Sequence, residues 1–160
     1  MLNNIINKLP DGRAENELAH YLRKLPEHES SALMETLLKH NSDVVRESSL
    51  RLIPRVIRDR SVLIKFLDMG LEKKNVSGAK PWIKATVSGL GYKKLLQHMK
   101  KVAETNPDWI LYAWYQLVPL VIKEAPEKIQ YLQEIEKIID AHLCNELKGS
   151  WLRTKEAVPI

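Results

Sequence analysis

Apolar residues recur three and four positions apart along most of the chain, which is the spacing of one helix face, and seldom alternate with polar ones as in a half-buried strand. Leu33, Leu37 and Leu38 share one such face. Tyr92, Leu95, Leu96, Met99, Val102 and Ala103 form a second stripe, and Ile129, Leu132, Ile135, Ile138 and Ile139 a third. Caps, glycines and prolines cut this pattern into about nine helices. They are expected at about 2–8, 13–25, 28–40, 43–58, 61–73, 80–90, 92–104, 107–122 and 126–145. Pro10-Asp11-Gly12 closes the first and Pro26 stops the second, while Asp59 or Ser61 caps the fifth. Gly89 and Gly91 separate the sixth from the seventh. Asn106 is placed to cap the eighth, with Pro107 at its first position and Asp108 in its first turn, and Pro126 opens the ninth. The fold class expected is all-α, with one domain over 1–148. Residues 149–160 lack periodicity and are expected to form a loose tail.

An internal repeat gives these helices an order. A shift of 65 positions carries Asn41 onto Asn106, and Asn41, Asp43, Leu52, Pro54, Val56 and Ile57 then recur identically. Val45 and Ile53 return as Ile110 and Val118. The recurrence includes a proline late in a helix, where it removes a backbone hydrogen bond and crowds the preceding turn. Two helix pairs fit into this offset, so the unit is roughly 32 residues and the sixth helix is the intermediate copy. Connections this short make neighbouring helices antiparallel.

The segment from Asn41 to Ile53, with Val45-Arg46, small Ser49 and apolar Leu52, resembles the second helix of a HEAT repeat. The second copy departs from that pattern, with Leu111 at the arginine position and Trp114 at the small one. The resemblance implies a short right-handed superhelix of antiparallel helix pairs, a HEAT-like α-solenoid covering about residues 13–145. In that arrangement the second helices of successive pairs line the concave side.

Composition adds limits. The 160 residues are 44% hydrophobic and 28% charged with only 6 glycines, which suits helices with a packed core. The single cysteine, Cys144, excludes an internal disulfide and suggests a reducing compartment. Met1 to Ile6 has no basic segment followed by an apolar run, so no signal peptide is expected. The longest uncharged apolar stretch, Trp109 to Ile122, is shorter than the ~20 residues that span a bilayer. A cytoplasmic protein without membrane association is therefore expected.

No chemistry-bearing motif emerges. The five histidines fall on different segments, and His142 with Cys144 lacks the further ligands of a zinc site. There is neither a phosphate loop nor a nucleophile elbow, so no catalytic residue, metal or cofactor is assigned.

The net charge of +5 is a mild excess, and its placement matters more than its size. On the fourth helix Arg51, Arg55 and Arg58 form a stripe away from the apolar face of Val45, Ser49, Leu52, Ile53 and Val56. Neighbouring copies put Arg23 and Lys84 at corresponding positions. On the eighth helix the same surface becomes Gln116, Leu120 and Lys123, flanked by Trp109 and Ala113, with Tyr112 in place of Glu47. Arg51, Arg55, Arg58, Lys84, Trp109, Tyr112 and Gln116 are thus the candidate partner-binding residues. The function expected is a non-enzymatic scaffold that grips a protein or acidic peptide on a concave basic and aromatic surface. Nucleic-acid binding through the basic stripe is the alternative. Its enzymatic version is suggested by the HEAT-like DNA alkylation-repair glycosylases, whose aromatic and acidic residues Trp109, Tyr112 and Asp108 would imitate. Self-association through the aromatic helix is a third reading, and the oligomeric state is left open.

Overall fold

The computed structural model describes every residue from Met1 to Ile160. It has no strand and nine α-helices: α1 (Leu2–Asn7), α2 (Gly12–Lys24), α3 (Glu27–Leu38), α4 (Asp43–Val56), α5 (Arg60–Glu72), α6 (Ala79–Thr105), α7 (Pro107–Glu124), α8 (Ile129–His142) and α9 (Lys148–Ala157). The first five lie within two residues of the bounds expected from sequence. Local chemistry explains several ends. Asp11 accepts the Ala14 amide at the start of α2, and Asp59 accepts both the amide and the hydroxyl of Ser61 at the start of α5. Asn106 stands at the N-cap of α7 but makes no capping bond; its side chain donates to Thr105 instead. No helix is long and apolar enough to cross a membrane.

The sixth and seventh helices expected from sequence follow one another within α6 and are parted at Gly91, whose backbone is not helical (φ 77°, ψ 156°). Only glycine enters that conformation readily, so the break is fixed by sequence. Residues 79–90 run antiparallel to α5, with Gly70 crossing Trp82 and Gly89 crossing Leu63. A Cβ on Gly70 would lie 2.3 Å from Trp82 Cγ, so this crossing requires glycine.

The structure departs from expectation at α9, in the segment expected to be a loose tail. It lacks an apolar stripe because one side chain anchors it. Trp151, 2% exposed, lies edge-on to Trp114 with ring centroids 5.3 Å apart. The Trp151 indole N–H donates to Asp140 on α8 at 2.6 Å.

Five polar links between helices share a common spacing. Lys65 donates to Glu35, His98 meets Asp68, and Lys100 donates to Glu134, across 30, 30 and 34 residues respectively. Arg51 pairs with Glu15 across 36 residues, and the Lys80 amide donates to Gln116 across 36. Each link joins a helix to the next but one when the two halves of α6 are counted separately. One row is therefore α2, α4, the first half of α6, and α7. The other is α3, α5, the second half of α6, and α8. Within the first row α2 and α4 run in the same direction, with Arg51 at Glu15 and the Arg55 carbonyl at Arg23, and so do the first half of α6 and α7: Lys80 meets Gln116, while Tyr92, just past Gly91, donates to Glu124 at 2.6 Å.

Candidate partner-binding surface

The 3.6-residue period of α4 decides what it shows to its neighbours. Val45, Leu52 and Ile53 are buried, Ser48 and Ser49 are enclosed with them, and Arg51 and Arg55 stay exposed; Arg58, expected on the same helix, lies past its end at Val56 and is exposed in the connection to α5. Arg51 Nε donates to Glu15 Oε1 on α2 at 3.1 Å, and its Nη2 reaches Ser48 Oγ at 3.1 Å. Arg55 Nη2 donates to Asn16 Oδ1 at 3.0 Å, and Arg23 Nε donates to the Arg55 carbonyl at 3.1 Å. Neither Arg58 nor Lys84 is within salt-bridge distance of a carboxylate.

Arg51 and Lys84 meet across a groove of about 460 Å³ between α4 and the first half of α6. Leu50 and Ala85, buried at 8% and 4% exposure, give it an apolar floor. Pro54 and Pro81 wall it, Arg51, Lys80 and Lys84 surround it, and Glu47 is its one acid. Arg55 and Arg58 lie outside this groove and line a separate recess with Arg23.

The α7 residues fare differently. Trp109 and Tyr112 are half-buried against the core. The Gln116 amide is already occupied, accepting the Lys80 N–H at 2.5 Å and donating to the Ser77 carbonyl at 3.0 Å. It caps the start of α6 from the adjacent helix. Asp108 forms an ion pair with Lys74 at 3.0 Å, and this bond raises the lysine pKa above its ordinary value.

The apolar residues that α7 exposes are Tyr115 and Ile122, at 51% and 43%, with Pro119 between them. Sequence reasoning passed over them because it followed the positions equivalent to the arginines. The 65-residue shift carries Leu50 and Ile57, which are buried, onto Tyr115 and Ile122, so the echo gave no sign of their exposure. Leu50, Pro54, Lys80 and Pro81 were missed for a related reason: a groove belongs to two helices, and periodicity describes one at a time.

No protein-family model matches the chain, and neither curated proteins nor solved structures gave a significant match. The chain brings together no group of three or more His, Cys, Asp or Glu side chains able to hold a metal ion.

Proposed function

We propose that the chain is a non-enzymatic, HEAT-like scaffold, a short right-handed superhelix that holds an acidic peptide segment of a protein partner along the row α2, α4, α6 and α7. The superhelical reading is supported by polar links that span 30 to 39 residues throughout this row and its companion. A further support is that Arg51 and Gln116, equivalent under the 65-residue shift, each reach back 36 residues to the first turn of the preceding helix in their row. The same joint is made with an ion pair in one copy and a backbone cap in the other.

The observation that carries the functional reading is the composition of the groove between α4 and α6. An apolar floor between cationic edges suits an extended or helical peptide whose apolar side chains are flanked by Asp or Glu. A phosphate backbone would use the cations and leave the floor without a role. Lys80 and Lys84, with Arg51 already paired to Glu15, outnumber Glu47 along the groove and disfavour basic peptides.

Selection of peptides from a displayed random library tests this. Peptides enriched in Asp and Glu beside apolar residues, and no longer retained when Arg51→Glu and Lys84→Glu are combined, would support the groove. Failure to enrich any acidic class would contradict it. Binding of a labelled oligonucleotide at low salt, lost steeply as salt rises, would favour the nucleic-acid reading instead.

A further inference from the structure

A second recess of about 350 Å³ lies where α2, α3 and α4 meet, beyond the end of the peptide groove. Arg23, Arg55 and Arg58 line it, Leu22, Leu25, Val56 and Ile57 back it, and Glu27 is its only carboxylate. None of the three arginines is within salt-bridge distance of any acid. Arg23 spends Nε on the Arg55 carbonyl and Arg55 spends Nη2 on Asn16, which leaves most of their N–H donors free; Arg58 makes no hydrogen bond.

Ser30 is part of the same wall. It is 5% exposed, and its hydroxyl is buried without a hydrogen-bond partner. Such groups are seldom left unsatisfied, because burial strips away their water without return. The recess also abuts the first turn of α3, whose N-cap, Pro26, supplies no side-chain acceptor, and the first intrahelical bond comes only at the Ser30 amide. The amides of that turn and the positive end of the helix dipole add to the field, against the acids Glu27 and Glu29.

We infer that this recess binds a phosphate monoester dianion carried by the peptide partner. The guanidinium groups would hold its oxygens and the Ser30 hydroxyl would donate to one of them. Three unpaired arginines around one recess suit a single compact dianion, whereas a nucleic-acid backbone would need cations repeated along a track. The peptide as carrier rests on the groove reading above, while the phosphate pocket stands without it.

The experiment separates these two claims. Inorganic phosphate and O-phosphoserine are titrated into the full chain at neutral pH, and the arginine Nε–H resonances are followed by NMR. Saturable shifts of Arg23, Arg55 and Arg58 are expected, with affinity weakened roughly tenfold by Arg58→Gln and severalfold by Ser30→Ala. Ser30→Ala removes a hydroxyl that bonds to nothing, so its thermal midpoint should stay unchanged or rise. That combination separates a ligand contact from a structural role.

Absent shifts, or affinities untouched by both variants, would overturn the pocket. If the phosphoamino acid binds but a phosphorylated acidic peptide binds no tighter, the pocket survives and the peptide carrier fails. An oligonucleotide that displaces O-phosphoserine at equal phosphate concentration would assign the site to phosphodiesters and overturn the monoester claim.

Discussion

Helices α4 and α7 descend from one sequence pattern and meet different surroundings. Both contain the repeated proline, but α4 ends at Val56, soon after Pro54, whereas α7 continues past Pro119 to Glu124. At the small-residue position α4 buries Ser49, whose hydroxyl donates back to the Val45 carbonyl at 2.7 Å, while α7 buries Trp114 completely. At the next helical turn but one, Arg55 is exposed and Leu120 is 5% exposed. The two helices share their role in the row but differ in what lies beyond it. α7 has α9 packed against it through Trp151, and its neighbours exclude water where those of α4 admit it. A repeat position therefore specifies where a side chain points, and the neighbouring helix decides whether it is core or surface.

The largest expected effect tests the enclosed aromatic of α7. Trp114→Ala should destabilise by about 3–5 kcal/mol through lost burial and a cavity, whereas Ser49→Ala at the equivalent position should stay within about 1 kcal/mol. Urea denaturation with a common slope measures both, and equal losses would erase the distinction. Next comes an exchange of surface character. Leu120→Arg places an unpaired charge at a buried position and should cost about 3 kcal/mol or more, while Arg55→Leu should change stability by no more than about 0.5 kcal/mol. A tolerated Leu120→Arg would mean that α7 presents this face to solvent after all.

The joint repeated at Arg51 and Gln116 should give smaller, unequal numbers. Gln116→Ala breaks two hydrogen bonds to backbone and should cost about 1 kcal/mol, against roughly 0–1 kcal/mol for Arg51→Ala at an exposed ion pair. Thermal melts of both, with and without high salt, check this, and only the arginine variant should lose its salt dependence.

The smallest effect concerns the helix that α7 has and α4 lacks. Burial opposes ionisation of Asp140, but hydrogen bonds from Lys155 and Trp151 outweigh it and hold the carboxyl below its ordinary pKa. The native value lies below the unfolded one. The stabilisation is therefore complete above the unfolded value and is lost as pH falls through the native one. Acidification through that range should alter Trp151 fluorescence while helical circular dichroism persists, and Asp140→Asn should remove the pH dependence. A fluorescence change that persists in Asp140→Asn would place the titrating group elsewhere.

Much of the helical layout was legible because it follows from periodicity and from local signals such as the Asp59 cap, which act within a few residues. The 65-residue echo also pointed to equivalent positions that make equivalent joints. The break at Gly91 was legible too, because glycine readily adopts the left-handed backbone that interrupts the helix there. One helix was not legible. Trp151 looked like part of a tail because one buried aromatic leaves no period. The candidate surface was half legible. Exposure of Arg51, Arg55 and Lys84 follows from their own helices, but the end of α4 before Arg58, the occupied amide of Gln116 and the floor formed by Leu50 and Ala85 depend on other segments.

The most direct test of the binding surface is a map of backbone amide NMR shifts on adding the acidic peptide most enriched in selection. The account predicts that the largest shifts fall on α4 and the first half of α6, around Leu50, Arg51, Lys84 and Ala85, with α3, α5 and α8 unaffected. Shifts centred on the opposite row, or on Tyr115 and Ile122 of α7 with the groove silent, would contradict it.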